Sequence, residues 1–502
     1  MKQLNLEEST YHSRAHCRQL IGSHGAPTGR REARRPRRKA EDLIPPLRSR
    51  LPGATQARHA RTINSLLLAL FVSLFSVTSA VAFDLDSSHV IFAFPGVDTS
   101  SHLGEFINGI GDVNGDGFSD IAVSSFEPRG TYIFYGGNPP DTIPDMFIRG
   151  THGPAIAVDV TGDGIKDVVV ADVVGPLTSE TGTILFYEGH IDSLDNTPFD
   201  SIATTEQPNG ALGYWLKTAD IDGDGRADLL TNKPTRFGGD ELLLYFGAPS
   251  IDTVADWVFT SPLEQYNFFD MFGFIDFNGD GEQDIFVGLS PRSDTAGALG
   301  VFFGPEFGTA PDVLIEHPEH IGSVNPRFFP GFVSNVGDFD GDGWDDLVVH
   351  FSEQLIYCCG PGADTVYDYS LQYSAKYTAG KMDVNHDGYN DLVSGGAHLI
   401  DGAVDVYLGG PRADEWLDDF IYRGNLPPWL LNRVGYRTAS AGDFNGDGID
   451  DFLFSSSNDV PWTYGAAFVA KGSQDIVVDV PLDSTVAVAT DDLQFTAYPN
   501  PF

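Results

Sequence analysis

The sequence predicts an all-β protein, a seven-bladed β-propeller with a cation-binding loop between strands one and two of each blade. Three observations carry that expectation. An acid-and-glycine loop recurs seven times, at a mean spacing near 55 residues. Each copy is followed by a short apolar run, then by a second run rich in aromatics that usually ends in Gly. The repeat shows no 3.6-residue helical periodicity. Four short strands per repeat, tiled seven times, is the pattern of propeller blades.

The loops come first because their spacing is chemical. The first reads Asp112-Val-Asn114-Gly-Asp116-Gly-Phe-Ser-Asp120, and the second has Asp159, Thr161, Asp163 and Asp167 at the same four positions. The third has Asp220, Asp222, Asp224 and Asp228, and the fourth Asp276, Asn278, Asp280 and Asp284. The fifth has Asp338, Asp340, Asp342 and Asp346, the sixth Asp383, Asn385, Asp387 and Asp391, and the seventh Asp443, Asn445, Asp447 and Asp451. A hard cation such as Ca²⁺ takes about six to eight oxygens in a flexible cage. Positions one, three and five converge when the chain curls, position seven adds a carbonyl, and glycine at positions four and six permits the curl. Here the closing acid stands at position nine and a β-type run follows at once, unlike the helix-flanked EF-hand. A metal-free set of Asx-turns is the competing reading, and seven copies in one phase count against it. Up to seven structural Ca²⁺ are therefore expected, weakest in the second loop (Thr161) and in the sixth, where His386 replaces Gly.

An apolar-Gly pair precedes the loop in several repeats: Leu103-Gly104, Leu212-Gly213, Phe272-Gly273 and Val434-Gly435. The aromatic run includes Tyr132-Ile-Phe-Tyr-Gly136 and Leu243-Leu-Leu-Tyr-Phe-Gly247, and a weaker fourth strand follows, as at Trp257-Val-Phe and Phe420-Ile-Tyr. Val90-Ile-Phe-Ala-Phe-Pro-Gly96 has the third-strand pattern ahead of the first loop and is expected to close the ring against the last blade; an eighth, incomplete blade is the alternative.

This plan resembles the FG-GAP (or VCBS) repeat of integrin α-subunit propellers and their bacterial relatives, over residues 88 to 478. The resemblance implies seven blades with Ca²⁺ in the loop joining strands one and two, on the lower face. No partner-subunit sequence or leg domain accompanies it. Phe495-Thr-Ala-Tyr498-Pro-Asn-Pro-Phe502 is similar to the start of the carboxy-terminal sorting domain of type IX-secreted bacterial proteins, which implies a partner in the secretion machinery.

Composition sets the limits. Residues 1–62 hold 14 bases against five acids, whereas from Phe83 onward 16 bases face 66 acids, a net charge of −50. That excludes nucleic acid as a partner of the body of the chain and argues against docking on anionic membranes. With 41% hydrophobic residues and 36 Phe the chain can fill a core. The uncharged run Ile63–Phe83 follows Arg58 and Arg61 and contains Ala80-Val-Ala82, the plan of a secretory signal peptide cleaved after Ala82; an uncleaved anchor is the alternative. The domains expected are a leader at 1–62 (disordered, or a mis-assigned start), a signal peptide at 63–82, a propeller at 83–478, and a linker with a truncated sorting domain at 479–502. The mature chain then has no membrane span and is secreted or held at the outer surface of a bacterium.

Signs of catalysis are weak. Gly238-Gly-Asp-Glu-Leu242 resembles the GGDEF cyclase signature without its surroundings, and Pro318 spoils His317-Pro-Glu-His320 as a helical metal pair. Cys358 and Cys359 read as strand residues pointing to opposite faces. Loops on the upper face carry Tyr266, Phe268, Phe269, Phe328, Phe329, Trp429, Tyr436 and Trp462, able to stack on sugars, anchor a protein, or plug blade interfaces. The expected function is a non-catalytic binding or adhesion module for an extracellular protein or glycan. The alternatives are a groove enzyme resembling polysaccharide lyases, and an architectural surface protein.

Overall fold

A computed structural model describes residues 88–96, 101–173, 182–191, 193–203, 212–233, 240–247, 253–260, 266–267, 271–291, 297–318, 329–351, 353–371, 373, 375–396, 402–422, 434–456 and 465–477. The expected signal peptide, the leader and the sorting-domain start lie outside them. Within the described residues every regular element is a strand, and the strands form seven antiparallel blades. Blade one is Ile107–Gly111, Asp120–Ser125, Gly130–Phe134 and Met146–Arg149. Blade two is Ala155–Val158, Asp167–Asp172, Thr183–Tyr187 and Asp200–Ala203. Blade three is Leu216–Ala219, Asp228–Lys233, Glu241–Tyr245 and Trp257–Thr260. Blade four has Phe272–Ile275, Asp284–Pro291, Ala298–Phe302 and Val313–Glu316. Blade five has Phe332–Gly337, Asp346–His350, Gln354–Tyr357 and Tyr369–Leu371. Blade six has Ala375–Met382, Asp391–Gly396, Ala403–Tyr407 and Asp419–Tyr422.

Blade seven has only three strands from its own repeat, Val434–Gly442, Asp451–Ser456 and Ala466–Ala470. Its fourth comes from the other end of the chain: Val90–Pro95 pairs antiparallel with Ala466–Ala470, with Val90 opposite Ala470. The expected closure is therefore the one found, and no eighth blade forms among the described residues.

The core explains why the strands read as they do. Buried apolar residues fall into seven clusters, and each cluster joins two neighbouring blades around the ring. In blade one, Ile121 and Val123 face blade seven while Ala122 faces blade two. All six residues of Asp120–Ser125 are buried. A second strand covered on both faces has no polar side to alternate with, so it reads as a continuous apolar run.

Two details depart from expectation. Phe272-Gly273 precedes its loop and, like Val434-Gly435, begins its strand, but Gly273 is absent from the left-handed glycines that include Gly104, Gly213 and Gly435. Blade four instead splits its inner strand: Tyr266–Asn267 pairs with Ser290 and Pro291, and Phe272–Ile275 pairs further along the same neighbour. Cys358 and Cys359 lie just beyond the strand Gln354–Tyr357, as free thiols, the second buried. Burial pushes both thiols far above their ordinary range, so they stay protonated. No helix among the described residues is long and apolar enough to cross a membrane.

Candidate functional site: seven acidic loops and an axial channel

Each acidic loop joins the first and second strands of its blade, and its position-nine aspartate is the first residue of the second strand in all seven. That side chain is buried. Asp120 accepts the Val113 N–H at Oδ2 (2.8 Å) and the Gly136 N–H, from the end of the third strand, at Oδ1 (2.9 Å). The same two-ended grip recurs: Val160 and Gly189 donate to Asp167, Ile221 and Gly247 to Asp228, Phe277 and Gly304 to Asp284. Phe339 and Cys359 donate to Asp346, Val384 and Gly409 to Asp391, Phe444 and Gly472 to Asp451. This contact explains the terminal Gly of the aromatic run. A Cβ at Gly136 would stand 2.4 Å from the Ser119 carbonyl, and one at Gly409 would stand 2.0 Å from that of Asn390.

The other end of the loop is open to solvent. Asp112 Oδ1 accepts from Gly115 N–H at 2.6 Å and its Oδ2 from Gly117 N–H at 2.9 Å, and Asp276 and Asp338 do the same with their own glycines. Position-five carboxylates accept the position-seven N–H, as Asp116 does from Phe118 and Asp342 from Trp344. Position four is left-handed throughout, and in the sixth loop His386 occupies it at φ +60°. The second loop differs twice. Thr161 stands where the others offer a carboxylate or amide, and Arg226 of the next loop donates to the Thr161 carbonyl at 3.4 Å.

The donor sets fit a calcium-sized ion. Ligand oxygens of Asp220, Asp222 and Asp228 lie within 4.8 Å of one another, as do those of Asp338, Asp340 and Asp342. Two oxygens about 2.4 Å from one Ca²⁺ can be no more than about 5 Å apart. Electrostatics points the same way. Burial, reinforced by neighbouring aspartates and partly offset by the amide bonds, pushes Asp120 and Asp346 up to about 7 and Asp451 to about 8. It pushes Asp228 and Asp284 to about 6, and raises Asp167 and Asp391. A bound cation would favour the ionised form of such a cluster.

A second ring of aspartates escaped the sequence reading. Asp145, Asp256, Asp312, Asp368 and Asp418 each precede a fourth strand and accept the N–H of the residue just past the third, for instance Tyr135 to Asp145 at 2.8 Å. Their signal was available, an acid immediately before each weak fourth run. They account for part of the acidity that the loops leave over.

The inner strands of all seven blades line an axial channel of about 610 Å³. Position-eight side chains, among them Ser119, Lys166 and Asp450, line its end beside the loops. Toward the far end, the Arg437 guanidinium carbon lies 3.7 Å from the Tyr377 ring centroid and 4.8 Å from that of Trp215, with Tyr436 and Phe106 at 5.6 and 5.9 Å. Arg437 Nε donates to the Glu105 carbonyl at 3.1 Å. Burial pushes the Glu105 carboxyl up, but a bond to His152 and nearby positive charges outweigh it and leave it below its ordinary value.

Of the aromatics expected on the upper face, Phe329 is instead fully buried between blades four and five, plugging that interface. Tyr436 packs against Tyr377, which lines the channel. Tyr266 lies in the short extra strand of blade four; its side chain, like Phe268, Phe269, Phe328, Trp429 and Trp462, is outside the described residues. His317 packs edge-on against Phe329 and Phe351, and His320 lies outside the described residues.

The FG-GAP-like repeat family matches residues 159–231, a stretch holding the second and third loops. Integrin alpha-PS2 of Drosophila melanogaster is 26% identical over 193 residues, 33% of this chain and 13% of that protein. Human integrin alpha-IIb is 28% identical over 178 residues, 31% of this chain and 17% of its own. Phosphatidylinositol-glycan-specific phospholipase D of Rattus norvegicus is 29% identical over 166 residues, 29% of this chain and 19% of its own. The matches thus span less than a fifth of each relative. Fold and comparisons together define a seven-bladed propeller with FG-GAP-like repeats, similar in sequence to integrin α-subunits.

Proposed function

We propose that this chain is a calcium-stabilised propeller, secreted or held at the outer cell surface, that binds an extracellular protein or glycan without transforming it. The observation that carries the reading is the pairing of integrin-like repeats with seven loops whose closing carboxylates are buried among further acids. In this reading Ca²⁺ occupies the four-position sets from Asp112–Asp120 to Asp443–Asp451 and holds the first two strands of each blade together. It is structural rather than catalytic. Residues 63–82 serve as the signal peptide, 83–478 as the propeller, and 479–502 as the start of a segment read by the secretion machinery. The ligand face is the channel mouth, where Trp215 and Tyr377 present rings to a sugar or an apolar side chain.

The test is the full chain in millimolar calcium against a panel of neutral and acidic polysaccharides, with binding and chain length recorded in the same wells. Retention without shortening, lost on chelation, supports the binding module. The second reading is a groove enzyme, supported by the stretch similar to the phospholipase and by the channel volume; shortening of any glycan would replace the first reading with it.

A further inference from the structure

Four groups of three metal-ligating side chains occur among the described residues, and three of them belong to the third and fifth acidic loops. The fourth, Glu188, His190 and Asp195, belongs to no loop of the repeat, and it contains an imidazole. Among the described residues its scaffold occurs in blade two alone. Past the third strand Thr183–Tyr187 the chain continues into a small hairpin, Gly189–His190 paired antiparallel with Ser193–Leu194.

The hairpin fixes three side chains together. Gly189 is buried and its N–H donates to Asp167 Oδ1 at 3.0 Å, so Glu188 and His190, one residue to either side, both face outward. The Asp195 N–H donates to the Glu188 carbonyl at 2.9 Å, which brings Asp195 back beside Glu188. Leu194 is buried in the cluster between blades one and two and pins the returning strand. His190 Nε2 then stands 3.5 Å from Asp195 Oδ1, and the ligand atoms of all three residues lie within 4.8 Å of one another.

We propose that Glu188, His190 and Asp195 form a site for a divalent transition metal of the zinc class, separate from the calcium loops. The donor chemistry decides the metal. Ca²⁺ selects oxygen alone, whereas imidazole nitrogen with carboxylate oxygens suits Zn²⁺ and its neighbours, with a coordination position left to water. A bare His–Asp ion pair would need no third donor, yet Glu188 is held at the same spot by the hairpin itself. The ligand atoms draw in by rotation of side chains that are 41% and 49% exposed at His190 and Asp195. The site also has a structural neighbour. The Cα of Ile191, at the hairpin tip, lies 3.8 Å from where a Cβ on Gly115 would stand, so the hairpin straps the first acidic loop.

The experiment titrates the full chain with Zn²⁺ by calorimetry in millimolar Ca²⁺, which occupies hard-oxygen sites, and repeats it with Co²⁺ by visible absorption. The expected result is a site that survives excess Ca²⁺ and weakens by at least about tenfold in His190→Ala, the scale on which even outer-shell partners matter. Asp195→Asn and Glu188→Gln weaken it less. His190→Cys keeps the site and adds a thiolate charge-transfer band to the Co²⁺ spectrum. An unchanged calcium-dependent melt in His190→Ala shows that the fold is intact. Equal zinc binding by wild type and His190→Ala, or none in either, overturns the proposal. Loops that take no calcium would appear instead as additional zinc sites that persist in His190→Ala, a failure of the calcium reading and not of this one.

Discussion

Each acidic loop has two ends that look alike in sequence and differ in physics. At the outer end of the sixth loop, the side chains of Asp383, Asn385 and Asp387 at positions one, three and five bond within their own turn, and Asp387 is exposed. At the inner end, Asp391 is fully buried and ties the loop to the third strand through Val384 and Gly409. In the calcium reading the outer carboxylates serve the ion. The inner one serves the blade even without a metal, and with one it serves both.

The largest test of that contrast is removal of the cation. At about a hundredfold excess over its dissociation constant each bound Ca²⁺ adds about 2.7 kcal/mol, so chelation should lower the melting temperature steeply in a calorimetric scan; an unchanged melt would refute the calcium reading. Next comes Asp391→Ala, which strands two buried amide donors at about 1–3 kcal/mol each. Denaturant unfolding should show a loss of about 2–6 kcal/mol even in chelator. Asp387→Ala under the same conditions should stay within about 0.5 kcal/mol, as surface changes do. Equal losses from the two variants would erase the distinction between the ends.

A third test uses pH. The closing carboxylates have folded-state values raised to about 6 to 8 at Asp228, Asp284, Asp120, Asp346 and Asp451. A raised value means the folded state holds its proton more tightly than the unfolded chain. Their stabilising contribution is therefore complete below the ordinary aspartate range and is lost as pH rises through about 6 to 8. Metal-free protein should melt progressively lower between about pH 5 and pH 8, while saturating Ca²⁺ flattens or reverses the trend, because the ion takes the ionised form. The smallest effect is His386→Gly. It relieves about 1 kcal/mol of left-handed strain and returns part of that as entropy of the unfolded chain, for a net gain near ~0.5 kcal/mol in denaturant unfolding.

The sequence made the blade count, the loop positions and the ring closure legible, because seven loops, five of them Asp-x-Asx-Gly-Asp-Gly and two with one change each, keep one phase, and Val90–Pro95 carries a third-strand pattern far from any second strand of its own. What stayed hidden depends on neighbours. Phe329 looks like a surface aromatic until blades four and five close over it. The role of Asp145 and its counterparts requires the end of the third strand to be placed beside the fourth. The blade-two hairpin is four residues of strand with no periodicity long enough to register. The split inner strand of blade four was masked by Phe272-Gly273, a dipeptide that imitates the turn used elsewhere.

The pairing of Val90–Pro95 with Ala466–Ala470 also decides how the ring is moored. Lys471 N–H donates to the His89 carbonyl at 2.9 Å, so the two ends of the folded ring leave it side by side. A load applied between His89 and Lys471 falls first on five pairs of residues, not on the ring.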